Sequence, residues 1–175
     1  MPWNNAVESA FNNQINMELG AFYTYLSMSA WFEAESLPGF AAWMRHHAEE
    51  EMVHAMKLYD FVIRRRGRVV LAPIAGPKTT WDSPLAAFED AFAHERKVTQ
   101  SIDALVELSE DERDRAAVSF LQWFVDEQVE EEEIVDLAIQ KLRRIGDFGP
   151  GLYLLDRELA GSTGAEAADG AETEE

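Results

Sequence analysis

The chain has 175 residues, 47% of them hydrophobic, a formal charge of −18 at pH 7 and no cysteine. That length and composition suffice for one domain with a sizeable core, and the missing thiols exclude disulfides, zinc ribbons, iron–sulfur clusters and rubredoxin-type centres. The charge excludes nucleic acid and favours cations as partners, no apolar run approaches the ~20 residues of a membrane span, and Met1-Pro-Trp-Asn-Asn lacks the basic and apolar regions of a signal peptide, so a cytoplasmic protein is expected.

The first helix is predicted over Asn4–Glu35. Its stripe reads Phe11, Ile15, Glu18, Phe22, Tyr25, Ser29 and Phe32, in steps of three and four that keep side chains on one helix face. Leu37-Pro38-Gly39 ends it, with Ser36 placed to cap the second helix and Pro38 in that helix's first turn. The second helix, Pro38–Arg66, carries Phe40, Met44, His47, Glu51, His54, Leu58 and Phe61 on one face, and Gly67 is suited to stop it. Arg68–Trp81 contains Pro73, Gly76 and Pro77 and cannot be helical throughout. The third helix opens at Asp82-Ser83-Pro84 and ends near Leu108, with Leu85, Phe88, Phe92, Glu95, Thr99 and Ile102 in line. Ser109-Glu-Asp-Glu112 has the spacing of a capping box and opens the fourth helix, which runs to Gly146 with Ala117, Leu121, Phe124, Gln128, Glu131, Val135, Ala138 and Leu142 on its face. Pro150 and Gly151 precede a short fifth segment, Leu152–Ala160. From Gly161 onward only Gly, Ala, Ser, Thr, Asp and Glu occur, so the domain is expected to cover 1–160 and the acidic tail 161–175 to be disordered.

The predicted class is all-α. Short connections make the first and second helices antiparallel, and likewise the third and fourth. The connection between the second and third is about fifteen residues and can extend ~50 Å at ~3.3 Å per residue, while a helix of some 28 residues is ~42 Å long. It can therefore run the full length of the bundle. The expectation is a four-helix bundle with one long crossover, the second and third helices being parallel neighbours.

Each stripe is interrupted near its middle by a residue that binds metals: Glu18, then Glu51 with His54, then Glu95, then Gln128 with Glu131. A carboxylate inside a bundle is costly unless something neutralises it, and cations do so most simply when four helices make the same exception. One Glu from each of two helices, with a pair of ligands three residues apart on each of the others, is the ligand count of a di-iron carboxylate site. Oxygen and imidazole donors without thiolates suit iron. Glu51 can bridge two irons while His54 binds one. The neutral Gln128 would let one metal be held less tightly. Tyr25, on the stripe of Glu18, can hydrogen-bond a ligand or supply an electron to dioxygen. A second acidic cluster comprises Glu50, Glu127, Glu130 and Glu131, whose like charges call for solvent or cations.

Over residues 3 to 160 the chain resembles the non-haem ferritins of bacteria and archaea. The resemblance is carried by Asn16-Met-Glu18 with Tyr25, Leu26-Ser-Met-Ser-Ala-Trp31-Phe, Glu49-Glu50-Glu51-Met-Val-His54-Ala-Met-Lys, Trp81-Asp-Ser-Pro-Leu85, His94-Glu95 and Phe120-Leu-Gln-Trp-Phe-Val-Asp-Glu127-Gln128-Val-Glu130-Glu131. It implies a ferritin-like bundle with a short fifth C-terminal helix. It also implies a first ferroxidase iron site at Glu18, Glu51 and His54, and a second at Glu51, Glu95 and Glu131 with Gln128 nearby. A third iron site is implied at Glu50, Glu127, Glu130 and Glu131, Tyr25 as a redox tyrosine and Trp123 as a nearby aromatic. The implied activity is oxidation of Fe²⁺ to Fe³⁺ by O₂ or H₂O₂ with storage of ferric oxyhydroxide, in a homo-oligomeric cage usually of 24 subunits. Asp147-Phe-Gly-Pro150-Gly departs from many relatives and leaves the angle of the last helix, the cage symmetry and the pore size open.

Three related families share parts of this pattern. A haem-binding bacterioferritin has Met52 in its favour, but its helix-four Glu-x-x-His reads Glu127-x-x-Glu130 here, so haem is not expected. A rubrerythrin-like peroxidase needs cysteine-bound iron. A mini-ferritin would place ligands across a subunit interface and a helix where Pro73 and Pro77 stand. A bundle without catalysis is the remaining alternative.

Overall fold

The computed structural model describes residues 3–169, and the regular structure among them is helical throughout: α1 (Asn5–Ala34), α2 (Pro38–Arg64), α3 (Pro84–Asp111), α4 (Arg115–Ile145) and α5 (Gly149–Asp169). No helix among the described residues is long and apolar enough to cross a membrane.

Contacts between helices give the direction of each. Ser29 Oγ bonds Ala41 O at one end of the α1–α2 pair and the rings of Trp3 and Phe61 meet at the other, so these helices are antiparallel. Gln14 meets Ser101 and Tyr25 meets Glu95, so α1 and α3 are antiparallel too. Hence α2 and α3 run parallel, as a full-length crossover requires. They are not neighbours, however. The backbone of α1 lies close to both α2 and α3, whereas α2 and α3 do not approach each other closely. On its other side α2 meets α4 through Phe61–Phe120 and His47–Glu131, and α3 lies against α4, which puts α2 and α3 on one diagonal of the bundle. The crossover, residues 65–83, is pinned along α1: Asn12 bonds both Arg68 O and Val70 N, and Ser27 Oγ donates to Lys78 O at 2.7 Å.

The apolar interior has two parts. Tyr25, Met28, Phe32, Phe40, Trp43, Met44, Phe88, Val135 and Ile139 fill one end. Val7, Phe11, Ile15, Leu58, Phe61, Val98, Ile102, Leu121 and Phe124 fill the other. The residues between these sets on every long helix are the polar members of the stripes.

Helix ends depart from the local reading. Ser36 does not cap α2. It adopts φ 61°, as do Arg66 (61°) and Arg113 (55°), each just past a helix whose last carbonyls are closed by Leu37 N to Phe32 O, Gly67 N to Val62 O and Asp114 N to Ser109 O. Gly67 is therefore the residue after the left-handed one. A Cβ there would stand 2.7 Å from the Trp3 ring. Ser109–Glu112 is the end of α3 rather than the start of α4, and Ser109 Oγ bonds back to Leu105 O. Asp114 caps α4 instead, accepting from Ala117 N. It is fixed there by a two-pronged bond from Arg65 at 2.9 and 2.8 Å and by Trp3 Nε1 at 2.9 Å.

The N-cap position of α2 is Leu37, which has no side chain to offer. Asp156 of α5 supplies the missing acceptor: its Oδ1 takes hydrogen bonds from Gly39 N at 2.8 Å and Phe40 N at 3.0 Å. Gly39 makes this possible, since a Cβ would lie 1.7 Å from Asp156 O. α5 begins at Gly149, earlier than Leu152. It also continues to Asp169, where a disordered tail was expected; Ala165-Glu-Ala-Ala168 favours helix intrinsically. The remainder of that expected tail, 170–175, lies outside the described residues.

Asp156→Ala leaves two buried N–H groups at the start of α2 without an acceptor. Losing a helix cap of this kind costs about 1–2 kcal/mol, or several degrees in Tm for a chain of this size. Asp156→Asn, which retains an oxygen, is expected to lose less. Thermal melts followed by circular dichroism at one protein concentration test both.

Candidate metal centre

The polar layer is assembled from four helices. α1 contributes Glu18, α2 Glu51 and His54 one turn apart, α3 Glu95, and α4 Gln128 and Glu131. All are inside: Glu18 is 1% exposed, Glu51 3%, His54 4%, Glu95 0%, Gln128 4% and Glu131 6%. The 3.6-residue repeat puts each on the face where Leu or Phe stands one or two turns away, and the two apolar clusters exclude water from either end.

Glu18, Glu51 and His54 converge, each offering a ligand atom within 4.8 Å of the others. Glu18 is held through one oxygen only. Gln14 Nε2 donates to its Oε1 at 2.8 Å, and Ser101 anchors Gln14 in turn at 2.5 Å. The other oxygen, Oε2, is buried and accepts from no amide, hydroxyl or backbone N–H; the Glu51 carboxyl, which retains a proton, is the hydrogen-bond partner Glu18 has there. A divalent cation would displace that shared proton. His54 Nδ1 is 3.3 Å from Glu51 Oε2. Trp123 stands edge-on to the His54 ring at 5.4 Å, with Lys57 Nζ 3.5 Å above the indole.

Glu95 is gripped at both oxygens. Tyr25 OH donates to Oε1 at 2.5 Å and Gln128 Nε2 to Oε2 at 3.2 Å. Glu131 Oε2 lies 3.2 Å from His47 Nδ1, and the same nitrogen is 3.3 Å from Glu50 Oε2. His47, Glu50 and Glu131 thus form a second convergent trio. The set Glu51, Glu95 and Glu131 is not among the convergent groups found in the described residues. Repulsion among three carboxylates favours separate arrangements, with Glu95 turned to Tyr25 and Gln128 and Glu131 turned to His47.

The electrostatics follow from burial. Desolvation, reinforced by Glu95 and Glu131 and opposed by Gln14, lifts the Glu18 carboxyl from 4.5 to about 7. Desolvation, then the charge of Glu131, lifts Glu95 to about 7 against the pull of Tyr25 and Gln128. Glu51 is pushed well above the carboxylate range by burial and then by Glu95, Glu18 and Glu131. Burial, with Lys57 and His47 as lesser causes, lowers His54 to about 4, so its ring is neutral at pH 7 and keeps a lone pair for a ligand role. Burial and the surrounding carboxylates hold the Tyr25 phenol well above its usual value. Crowded acids that retain protons for want of counter-charge are what divalent cations displace protons from.

Of the acidic cluster read from the sequence, Glu50 and Glu131 meet. Glu127 is half-buried and raised by desolvation, Glu130 and Glu131; Glu130 is exposed. Neither belongs to a convergent trio. His47 lies on the stripe of Glu51 but is not among the ligands expected from the sequence. Its signal was its place on the face of Glu51, one turn away, and three residues before Glu50. Its partner Glu131 is distant in sequence. Its ring stacks on Tyr25 at 5.7 Å and lies 3.8 Å from the Trp43 ring.

With this geometry in view, comparison with known proteins is direct. A family model described as Ferritin-like domain matches residues 8–145. A bacterial non-heme ferritin of Bacteroides fragilis is 41% identical over 153 residues, 87% of this chain and 95% of that protein. One of Staphylococcus epidermidis is 43% identical over 152 residues, 87% and 92% of the two chains. Among solved structures, the open pore ferritin of the hyperthermophilic archaeon Archaeoglobus fulgidus superposes with a TM-score of 0.89 at 47% identity, covering 90% of this chain and 96% of that one. A bundle with this topology, this ligand layer and these relatives belongs to the non-haem ferritins of the ferritin-like family.

Proposed function

We propose that the chain oxidises Fe²⁺ to Fe³⁺ at a centre held within one subunit, using O₂ or H₂O₂, and stores the product as ferric oxyhydroxide inside a cytoplasmic homo-oligomeric cage, with 24 as the expected number of subunits. The observation that carries this reading is the trio Glu18, Glu51 and His54, buried and convergent, with no cationic side chain among them. Its donor set of carboxylate oxygens and one neutral imidazole suits Fe²⁺ as a substrate.

Two Fe²⁺ ions yield two electrons, which with two protons reduce O₂ to H₂O₂. The residues supply the rest. Glu51, a member of the trio, also feels the charges of Glu95 and Glu131 and is the group able to serve both ions. Glu95, Glu131 and Gln128 are the donors for the second ion. Carboxyls that release protons on meeting a cation place those protons beside the oxidant. Tyr25 OH, 2.5 Å from Glu95, can pass its proton to that carboxylate as its ring gives up an electron. His47, Glu50 and Glu131 offer a third position beside the first two, with Glu127 and Glu130 extending the acidic ground towards solvent. The net charge of −18 raises the local concentration of cations around the whole subunit.

Glu51→Ala and His54→Ala are each expected to reduce the fast phase of Fe²⁺ oxidation to the rate in protein-free buffer, read by stopped-flow absorbance. A rate matching the parent chain in either variant counts against the centre. Below pH about 7 an incoming cation must displace protons from Glu18 and Glu95, whereas His54, lowered to about 4, is already neutral. Anaerobic affinity for divalent cations should therefore climb as pH rises through about 7, with Glu51, held well above the carboxylate range, extending the climb. The metal-free protein should show the opposite slope in stability. Its raised carboxyls bind protons that the unfolded chain loses above about 4.5, so these groups subtract stability as pH rises from there to about 7. Light scattering should give a particle of about 475 kDa if 24 chains of 19.8 kDa assemble.

A further inference from the structure

Gln128 differs from its carboxylate neighbours in one respect: its amide oxygen can bind a cation and its amide nitrogen cannot. Which atom faces the centre therefore matters. We propose that Thr99 and Glu132 are positioning residues that hold the Gln128 amide with its nitrogen against α3, so that the carbonyl oxygen is the atom left to a cation. This rests on reading Glu95, Gln128 and Glu131 as the donors of the second cation position.

The hydrogen bonds set the sense of the amide. Thr99 has one hydroxyl proton, and it is given to Glu132 Oε1 at 2.6 Å. Only lone pairs of that hydroxyl remain for Gln128, whose Nε2 lies 3.3 Å away. The same nitrogen faces Glu95 Oε2 at 3.2 Å and the Glu95 backbone oxygen at 3.4 Å. Three acceptors thus converge on one side of the amide. Turned over, Gln128 would press its own oxygen against the Glu95 backbone oxygen and the Thr99 lone pairs, neither of which has a proton to give it. Glu95 has no easy alternative arrangement, since its second oxygen is committed to Tyr25. Thr99, Gln128 and Glu132 line one cleft of about 300 Å³ between α3 and α4, and Glu132 is partly open to solvent. The chain Glu132–Thr99–Gln128–Glu95 thereby links a surface carboxylate to the buried layer. Without Glu132, the Thr99 proton is released to point at Gln128, and the amide loses the constraint that distinguishes its two ends.

Anaerobic Co²⁺ titration of the full chain, followed by the visible absorption of the bound ion, tests this. Thr99→Val and Glu132→Ala are each expected to weaken the second, looser Co²⁺ by about 10–100-fold, the usual effect of losing a group that orients a ligand. Both should leave the Co²⁺ at Glu18, Glu51 and His54 unchanged, and Thr99→Ser should restore the parent behaviour. In a Gln128→Glu chain the two carboxylate oxygens are equivalent and nothing remains to orient, so adding Thr99→Val should have no further effect. An unchanged second affinity in Thr99→Val and Glu132→Ala overturns the proposal. So does an equal loss at both positions, or a loss that persists beside Gln128→Glu. A parent chain that takes up a single Co²⁺ per subunit removes the second position itself, a failure separable from that of Thr99.

Discussion

Carboxylates from all four long helices meet in one dehydrated layer, and their mutual repulsion is the constraint around which the subunit is organised. Glu18, Glu51, Glu95 and Glu131 cannot all be ionised there without counter-charge. In the metal-free chain they are accommodated by protons, by the amides of Gln14 and Gln128, by the phenol of Tyr25 and by the imidazole of His47. Each of these partners is weaker in charge than a divalent cation, and the second oxygen of Glu18 has only the proton of Glu51 beside it. The layer is therefore destabilising by itself, and cations held by it would offset that cost. In this way a structural cost and the proposed binding function share one origin.

Such a layer survives because the packing on either side of it is stiff. Aromatic rings dominate both apolar clusters: Phe32, Phe40, Trp43 and Phe88 contact one another at one end, and Trp3, Phe11, Phe61 and Phe120 at the other. Burial of rings of this size contributes on the order of 2–3 kcal/mol each, which offsets the unfavourable carboxylates. Polar clasps at the ends add direction. Arg65, Asp114 and Trp3 join the end of α2, the start of α4 and the chain's beginning. Asp156 ties α5 to the first turn of α2, the helix that carries Glu51 and His54.

Besides Gly146, three described residues take positive φ, and these three, Ser36, Arg66 and Arg113, show how tightly the turns are drawn. None is glycine, and each accepts a conformation that disfavours side chains because the closing hydrogen bonds and the flanking packing require it there. Gly39 and Gly67 have a different reason to be small: Asp156 backbone and the Trp3 ring occupy the space of a Cβ.

How much of this was legible beforehand depends on the range of the interaction. The four long helices, their apolar stripes, the crossover and the buried polar residues of the layer follow from a 3.6-residue repeat and from breakers such as Pro38 and Pro84, which act within a few residues and so are written in local order. Residues whose role depends on a partner far along the chain were not legible. Ser36 and Ser109 have capping chemistry, yet Asp156 and Asp114 do the capping because tertiary contacts deliver them. His47 reads as one more stripe residue until Glu131 arrives from α4. The diagonal placement of α2 and α3 likewise depends on how four apolar faces share one interior. Periodicity determines which face a side chain occupies; only the packing of helices decides which atoms it meets.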